Sequence, residues 1–239
     1  MERKKFLRSL LIGAMAGPAV LAACSKDEET TVTDPSGTGT VTSTGSSSSS
    51  CTVAPTETEG PFPTKVAASY SRSDITDGRT GYKMTAKITI NSSCVPLAGA
   101  IVDIWHCDAE GNYSEYGGSG MQSTNYQSVH FLRGRQVTDA NGIVNFTSIF
   151  PGWYSGRATH IHVHVYSSNG NSLKVTQIAF PEGSGTAVAL VNGYKKGMTG
   201  YTYNANDNVF SDDMLKIEVA TVSGSLTDGF ALEMKINAA

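Results

Sequence analysis

The chain has 239 residues, 39% of them hydrophobic and 16% charged, with 25 glycines, four cysteines and a formal net charge of −3. Residues 1–23 hold four basic side chains and one acidic one, so the remainder carries 14 basic against 20 acidic residues, a net of −6. That balance, with no basic stripe along the chain, argues against nucleic acid as a partner.

The start, MERKKFLRSLLIGAMAGPAVLAAC, has a basic segment, a short apolar run and small residues before a cysteine, which is the layout of an export signal. The run is too short and too interrupted by Gly and Pro for a membrane-spanning helix. Leu21-Ala22-Ala23-Cys24 resembles the lipobox of bacterial lipoproteins. By that resemblance residues 1–23 are removed and Cys24 becomes a lipidated N-terminus. Ser25 stands where an inner-membrane retention signal would place Asp, so sorting to the outer membrane or cell surface is expected. Residues 25–50 are rich in Ser, Thr and Gly and nearly devoid of apolar side chains. Such a segment cannot bury enough surface to offset its ordering entropy. Residues 24–50 therefore read as a lipidated cysteine on a flexible tether, spanning roughly 25–30 Å.

Residues 51–239 are long enough for one domain with a sizeable core. An exported domain permits disulfides, but Cys51, Cys94 and Cys107 allow one pair and a leftover thiol with no assignable pairing. The absence of Cys-x-x-Cys argues against a zinc ribbon or redox motif. Short, β-branched, mostly alternating segments predict strands at 83–91, 100–106, 143–149, 160–167, 173–180, 215–222 and 229–236. Asp139-Ala140-Asn141-Gly142 and Ser168-Asn169-Gly170-Asn171 supply turns. Residues 184–212 are less regular, with room for one short helix. Many short strands and little helix predict an all-β fold, a β-sandwich.

Within the 160–167 strand, His160, His162 and His164 alternate with Ile161, Val163 and Val165. Successive strand side chains point to opposite faces, so the three imidazoles share one face, as a polar surface or a metal site would need. His106 and His130 are the other two histidines, and core or supporting roles suit them. A superoxide dismutase-like sandwich would require more histidines and a bridging Asp.

The segments TEGPFP (58–63), VDIWHCDAEGNYSEY (102–116), LRGRQVTDANGIVNFTSIFPGWY (132–154) and RATHIHV (157–163) are more specific together than apart. In that order and spacing they resemble the intradiol ring-cleavage dioxygenases across roughly residues 53–237, and most nearly the exported short forms that lack a helical N-terminal region. The resemblance implies a β-sandwich holding one non-haem Fe(III). It carries one tyrosinate ligand onto Tyr113 of GNY, the other onto Tyr154 of PGWY, and the histidine ligands onto His160 and His162 of HIH. It places the substrate-side arginine at Arg157 and the active-site glutamine at Gln177 of KVTQ. His164 matches no ligand of the family. A hard ferric ion favours oxygen donors over thiolate, and two tyrosinates with a hydroxide would cancel its charge.

The implied reaction joins a catechol-type diol with O2 and opens the ring between the hydroxyl-bearing carbons to a cis,cis-muconate. In it Tyr154 leaves the metal and takes a substrate proton, while Arg157 stabilises negative charge on the ring. The rival is a noncatalytic cell-surface binding module that keeps the sandwich and the metal site. Only Ser155 and Gly156 separate Tyr154 from Arg157, a shorter link than in cytoplasmic family members, which implies a more open pocket and tolerance of substituted catechols. Pro63 also stands where an aromatic residue is common in the family. If the lipobox is used, Cys24→Ser blocks processing or releases the protein from the membrane fraction. Fractionation that finds the variant anchored as before would refute the lipoprotein reading.

Overall fold

The computed structural model describes residues 51–239 and the two-residue strand β1 (Thr42–Ser43). The export segment 1–23, Cys24 and, apart from β1, the 24–50 tether lie outside the described residues. No helix among the described residues is long and apolar enough to cross a membrane.

Two sheets make up the fold. In the first, β1, β9 (Thr221–Ser225), β10 (Gly229–Asn237), β2 (Lys83–Ser92) and β3 (Val95–Pro96) lie in that order, and β6 (Ile143–Ile149) also pairs with β2. In the second, β5 (Arg133–Val137), β4 (Ile101–Trp105), β7 (His160–Tyr166) and β8 (Ser172–Ala179) are antiparallel neighbours. The last strand closes against the first long one: β10 runs parallel to β2 from Phe230↔Met84 to Asn237↔Asn91. One short helix, α1 (Ala187–Val191), falls in the irregular 184–212 region, where the sequence leaves room for it. The Thr186 side chain caps its start and Asn192, in the left-handed region, ends it.

Alternation puts the core between the sheets. Met84, Ala86, Ile88 and Ile90 of β2 and Leu232 and Ile236 of β10 meet Val102 and Ile104 of β4 and Ile161, Val163 and Val165 of β7 in one apolar cluster. β2 and β10 alternate buried with exposed positions, as a half-solvated strand should, whereas β7 is buried on both faces until Tyr166. Its histidines therefore face away from the core, yet into the protein.

The disulfide joins Cys51 to Cys94, and Cys107 is free and buried. One strand boundary and one whole strand depart most from the sequence pattern. Residues 215–222 form a strand only from Thr221, because the Asp213 carboxylate accepts from the backbone N–H groups of Ile217 and Glu218 and Lys216 adopts a φ of 52°. That local turn competes with the ladder. β5 carries two arginines and a glycine, so it shows no apolar alternation, yet it pairs fully with β4.

Phe146 on β6 spans the layers: a Cβ added to Gly134 of β5 would meet its ring at 3.2 Å. Phe146→Ala leaves a cavity between the sheets and should cost about 3–5 kcal/mol, read as a lower denaturation midpoint with an unchanged slope. A loss below about 1 kcal/mol would contradict this packing.

Candidate metal centre

The register of the second sheet lines up a row across its outer face. Trp105 pairs with Arg133 on one side and His162 on the other, and His162 pairs with Gln177. Two loops rise over this row. The first, 106–113, is wound by Asp108, whose carboxylate accepts from the N–H groups of Glu110 and Asn112 at 3.0 and 2.9 Å, and it delivers Tyr113. Gly111 is required there: its φ is 90°, and a Cβ would fall on the Trp153 carbonyl oxygen of the second loop. The second loop, 150–159, turns on a hydrogen bond from Arg157 N–H to the Tyr154 carbonyl and delivers Tyr154 and Arg157. Gly152 N–H donates to the Asp108 carbonyl, which ties the two loops together.

The four sequence-predicted donors converge. Tyr113 Oη lies 3.2 Å from His160 Nε2, which lies 3.1 Å from His162 Nε2. The Tyr154 ring stands edge-on to Tyr113 at 5.8 Å and to His160 at 5.7 Å. His160 Nδ1 is 2.7 Å from the Ala158 carbonyl, which can only accept, so Nδ1 carries the proton and the neutral ring turns a bare Nε2 inward. The His162 ring lies flat on Trp105 at 4.9 Å, and its Nδ1 is buried without a hydrogen-bond partner. Burial, reinforced by the Arg157 charge, holds His160 down to about 3. Burial and the neighbouring His160 hold His162 far below its ordinary value. Both imidazoles are thus neutral and ready to donate at physiological pH. Burial also raises Tyr113, with Cys107 and Tyr154 adding to the effect, and raises Tyr154 against the opposing Arg157 charge. The phenols remain protonated until a cation reverses that cost.

Two phenol oxygens and two neutral imidazoles, without a thiolate, fit a hard ferric ion. Among the described residues no group of three or more His, Cys, Asp or Glu side chains is placed to hold a metal. A metal bound at this point would need the two phenols as well as the two imidazoles.

Arg157 and Gln177 stand beside it. Arg157 Nη2 donates to Gln177 Oε1 at 2.7 Å and Nη1 lies 3.4 Å from His160 Nε2. Burial works against the arginine's charge, but the hydrogen bond and charge of Asp207 hold its pKa above the ordinary range. Asp207 is fully buried and accepts from Arg157 Nε at 2.9 Å, Ala158 N at 2.7 Å and Val209 N at 2.8 Å. Sequence reasoning misses Asp207, which lies in the irregular 184–212 region; the only signal is that a buried arginine needs a carboxylate. It also misses Gln122, whose Oε1 accepts from Tyr113 N–H at 2.6 Å while its Nε2 donates to the carbonyls of Tyr113, Tyr116 and Thr124. Trp105 and Phe62, the latter stacked on Tyr113 at 4.7 Å, likewise escape notice as site walls. Of the remaining histidines, His106 is buried between the Cys107 carbonyl and Ser148, and His130 reaches Glu115 and Tyr70. Neither joins the donor cluster.

The Dioxygenase_C family model, described as Dioxygenase, matches residues 63–220, which is most of the described chain and includes all four donors. A solved intradiol ring-cleavage dioxygenase from Tetranychus urticae is 28% identical and superposes with a TM-score of 0.67, covering 78% of this chain and 94% of that one. The chain belongs to the intradiol ring-cleavage dioxygenase family. Chlorocatechol 1,2-dioxygenase of Rhodococcus opacus is 30% identical over 109 residues, 38% of this chain and 40% of that protein. Catechol 1,2-dioxygenase 1 of Acinetobacter lwoffii is 29% identical over 96 residues, 33% of this chain and 29% of that protein. The matches thus span less than half the length of those two proteins.

For this intradiol family member, Asp207 yields a test. Burial alone would raise its pKa, but the hydrogen bonds from Ala158, Arg157 and Val209 together hold it below the usual carboxylate range. Its stabilising contribution is therefore complete above pH ~3.9 and is lost as pH falls through the lower folded value. Asp207→Ala should cost about 3–5 kcal/mol by leaving Arg157 buried and unpaired, with the difference from wild type shrinking in acid. A variant as stable as wild type at neutral pH would show that the pair contributes nothing.

Proposed function

We propose that this protein cleaves a catechol-type diol in the intradiol manner, with O2 as co-substrate and Fe(III) held by Tyr113, Tyr154, His160 and His162. The reading is carried by one observation: two phenols and two neutral imidazoles converge in a buried site directly beside an arginine–glutamine pair. Ferric iron bound there would take both oxygens of the diol and make its ring reactive towards dioxygen. The chain's own groups do the rest. Tyr154 is only partly buried and precedes the exposed pair Ser155 and Gly156, so its Oη is the phenol best placed to take a substrate proton. Arg157, fixed by Asp207 and Gln177, offers a preorganised positive charge to negative charge developing on the ring. Phe62 and Tyr116, edge-on at 5.3 Å, supply apolar wall. The two-residue link between Tyr154 and Arg157 leaves that side open, which favours a range of substituted catechols.

The same proposal places the domain outside the cell, carried as a lipoprotein on Cys24 by the 24–50 tether; the disulfide between Cys51 and Cys94 supports an oxidising compartment.

The purified, iron-loaded protein should be red-brown from tyrosinate-to-iron charge transfer. His160→Ala and His162→Ala should each lose iron and colour. Arg157→Ala should keep both and still bind catechol, but lower turnover on the order of 100-fold. Incubation with catechols under labelled dioxygen should give muconate-type acids carrying the label. No ring opening across a catechol panel would leave a noncatalytic binding module as the better reading, and extradiol aldehydes would overturn the intradiol assignment.

A further inference from the structure

The third histidine of β7 takes no part in the donor cluster, yet it is buried and held from several directions. His164 Nδ1 lies 2.8 Å from Glu59 Oε1 and 2.9 Å from Tyr166 Oη. Its Nε2 lies 2.8 Å from Ser172 Oγ, and the Tyr166 ring stacks on it at 3.9 Å. An imidazole with both nitrogens engaged and one face covered has a fixed orientation.

Glu59 belongs to the segment 57–63, which crosses the outer face of the second sheet and touches two of the proposed metal donors, His162 and Tyr113. At one end Glu57 N–H donates to the Val175 carbonyl and Gln177 Nε2 donates to the Thr58 carbonyl. At the other end Phe62 stacks on Tyr113 and its carbonyl accepts from Arg133 Nη1 at 3.1 Å. Between them Gly60, with φ 69°, presses on His162 so closely that a Cβ would lie 2.9 Å from Cε1 and 3.4 Å from Nε2. Where the segment rides over His162, it is the Glu59 carboxylate that reaches down to the sheet.

We infer that the Glu59–His164 contact is a clasp that holds this strap against His162 and Tyr113, which makes His164 a positioning residue for the metal site. The inference deepens the proposed function and rests on it for the identity of the metal, but the clasp itself is a property of the protein chain. The Glu59 side chain is 45% exposed, so solvent screens the pair and its effect is modest. Its consequence is local: His162 is kept from swinging its donor nitrogen away, and the wall over Tyr113 is kept closed.

The test measures backbone amide exchange at residues 57–62 in the iron-free protein, and iron release to a chelator from the loaded protein. Glu59→Ala changes a half-exposed side chain and leaves the donors intact. With His164→Ala, it should raise strap exchange about fivefold, the loss of one ordinary hydrogen bond, while amides of β2 stay unchanged. Both variants should load iron to the wild-type stoichiometry and colour but release it faster by a similar factor. The double variant should be no worse than His164→Ala alone, because the two residues share one interaction. His164→Phe, which keeps a ring against Tyr166, should loosen the strap like His164→Ala. Unchanged strap exchange, additive single effects, or a His164→Phe protein that behaves as wild type would each overturn the clasp. A wild-type protein that takes up no iron would instead refute the proposed function, while the iron-free exchange data still decide the clasp.

Discussion

Strand β7 is buried on both faces, so the imidazoles on its outer face must find partners inside the protein instead of in water. The layout of the site follows from that requirement. His160 finds the Ala158 carbonyl, His162 finds the plane of Trp105, and His164 finds Glu59 and Ser172. Each solution orients a ring, and for His160 it also selects the tautomer. The pleat then does the spacing, because side chains two residues apart on one face stand roughly 6.6 Å apart at their roots. Two of them can lean towards a common point, while the third is left to fasten something else. The covering loops are equally part of the solution, since without them the outer face would be an ordinary wet sheet.

The same covered face carries three arginines, and each has a carboxylate. Arg133 lies 3.5 Å from Glu115, Arg135 makes a bidentate pair with Asp103, and Arg157 pairs with Asp207. The pairs of Arg133 and Arg157 are buried, and buried pairs add little to stability over apolar packing, but losing one partner is expensive, so they fix arrangement more than they add strength. Even when paired, Arg157 acts on the donor environment and, after burial, helps to hold His160 and His162 below their ordinary pKa. A cation entering that environment is met by phenols able to ionise rather than by carboxylates already committed elsewhere. Asp207 also holds two things at once: the Arg157 guanidinium and the backbone N–H of Ala158, the residue whose carbonyl meets His160.

Much of this could be read in the chain, and what could not has a common physical reason. Strands β2, β6, β7, β8 and β10 announce themselves because one face meets the core and alternation records it. The convergence of Tyr113, Tyr154, His160 and His162 was legible because short segments around them carry the family pattern, and the structure brings the four side chains together. β5 was not legible, since its outward residues are arginines that pair inside the protein, and charge in a strand pattern ordinarily signals solvent. Asp207 and Gln122 sit on irregular backbone with no periodicity, and their roles exist only once distant segments meet. The alternation at 215–222 predicts more strand than forms there, because it cannot register that the Asp213 carboxylate has already claimed two backbone N–H groups.

The disulfide between Cys51 and Cys94 has a mechanical consequence. It bonds Cys51, upstream of the strap, to the turn between β2 and β3, beside the C-terminal end of β10, where Asn237 Oδ1 accepts from Cys94 N–H. Force arriving through the chain before Cys51 therefore enters the first sheet through a covalent bond. It bypasses residues 57–63, which lie downstream on the other sheet. Tension applied on the N-terminal side would load β2 and its neighbours and leave the strap over the second sheet slack.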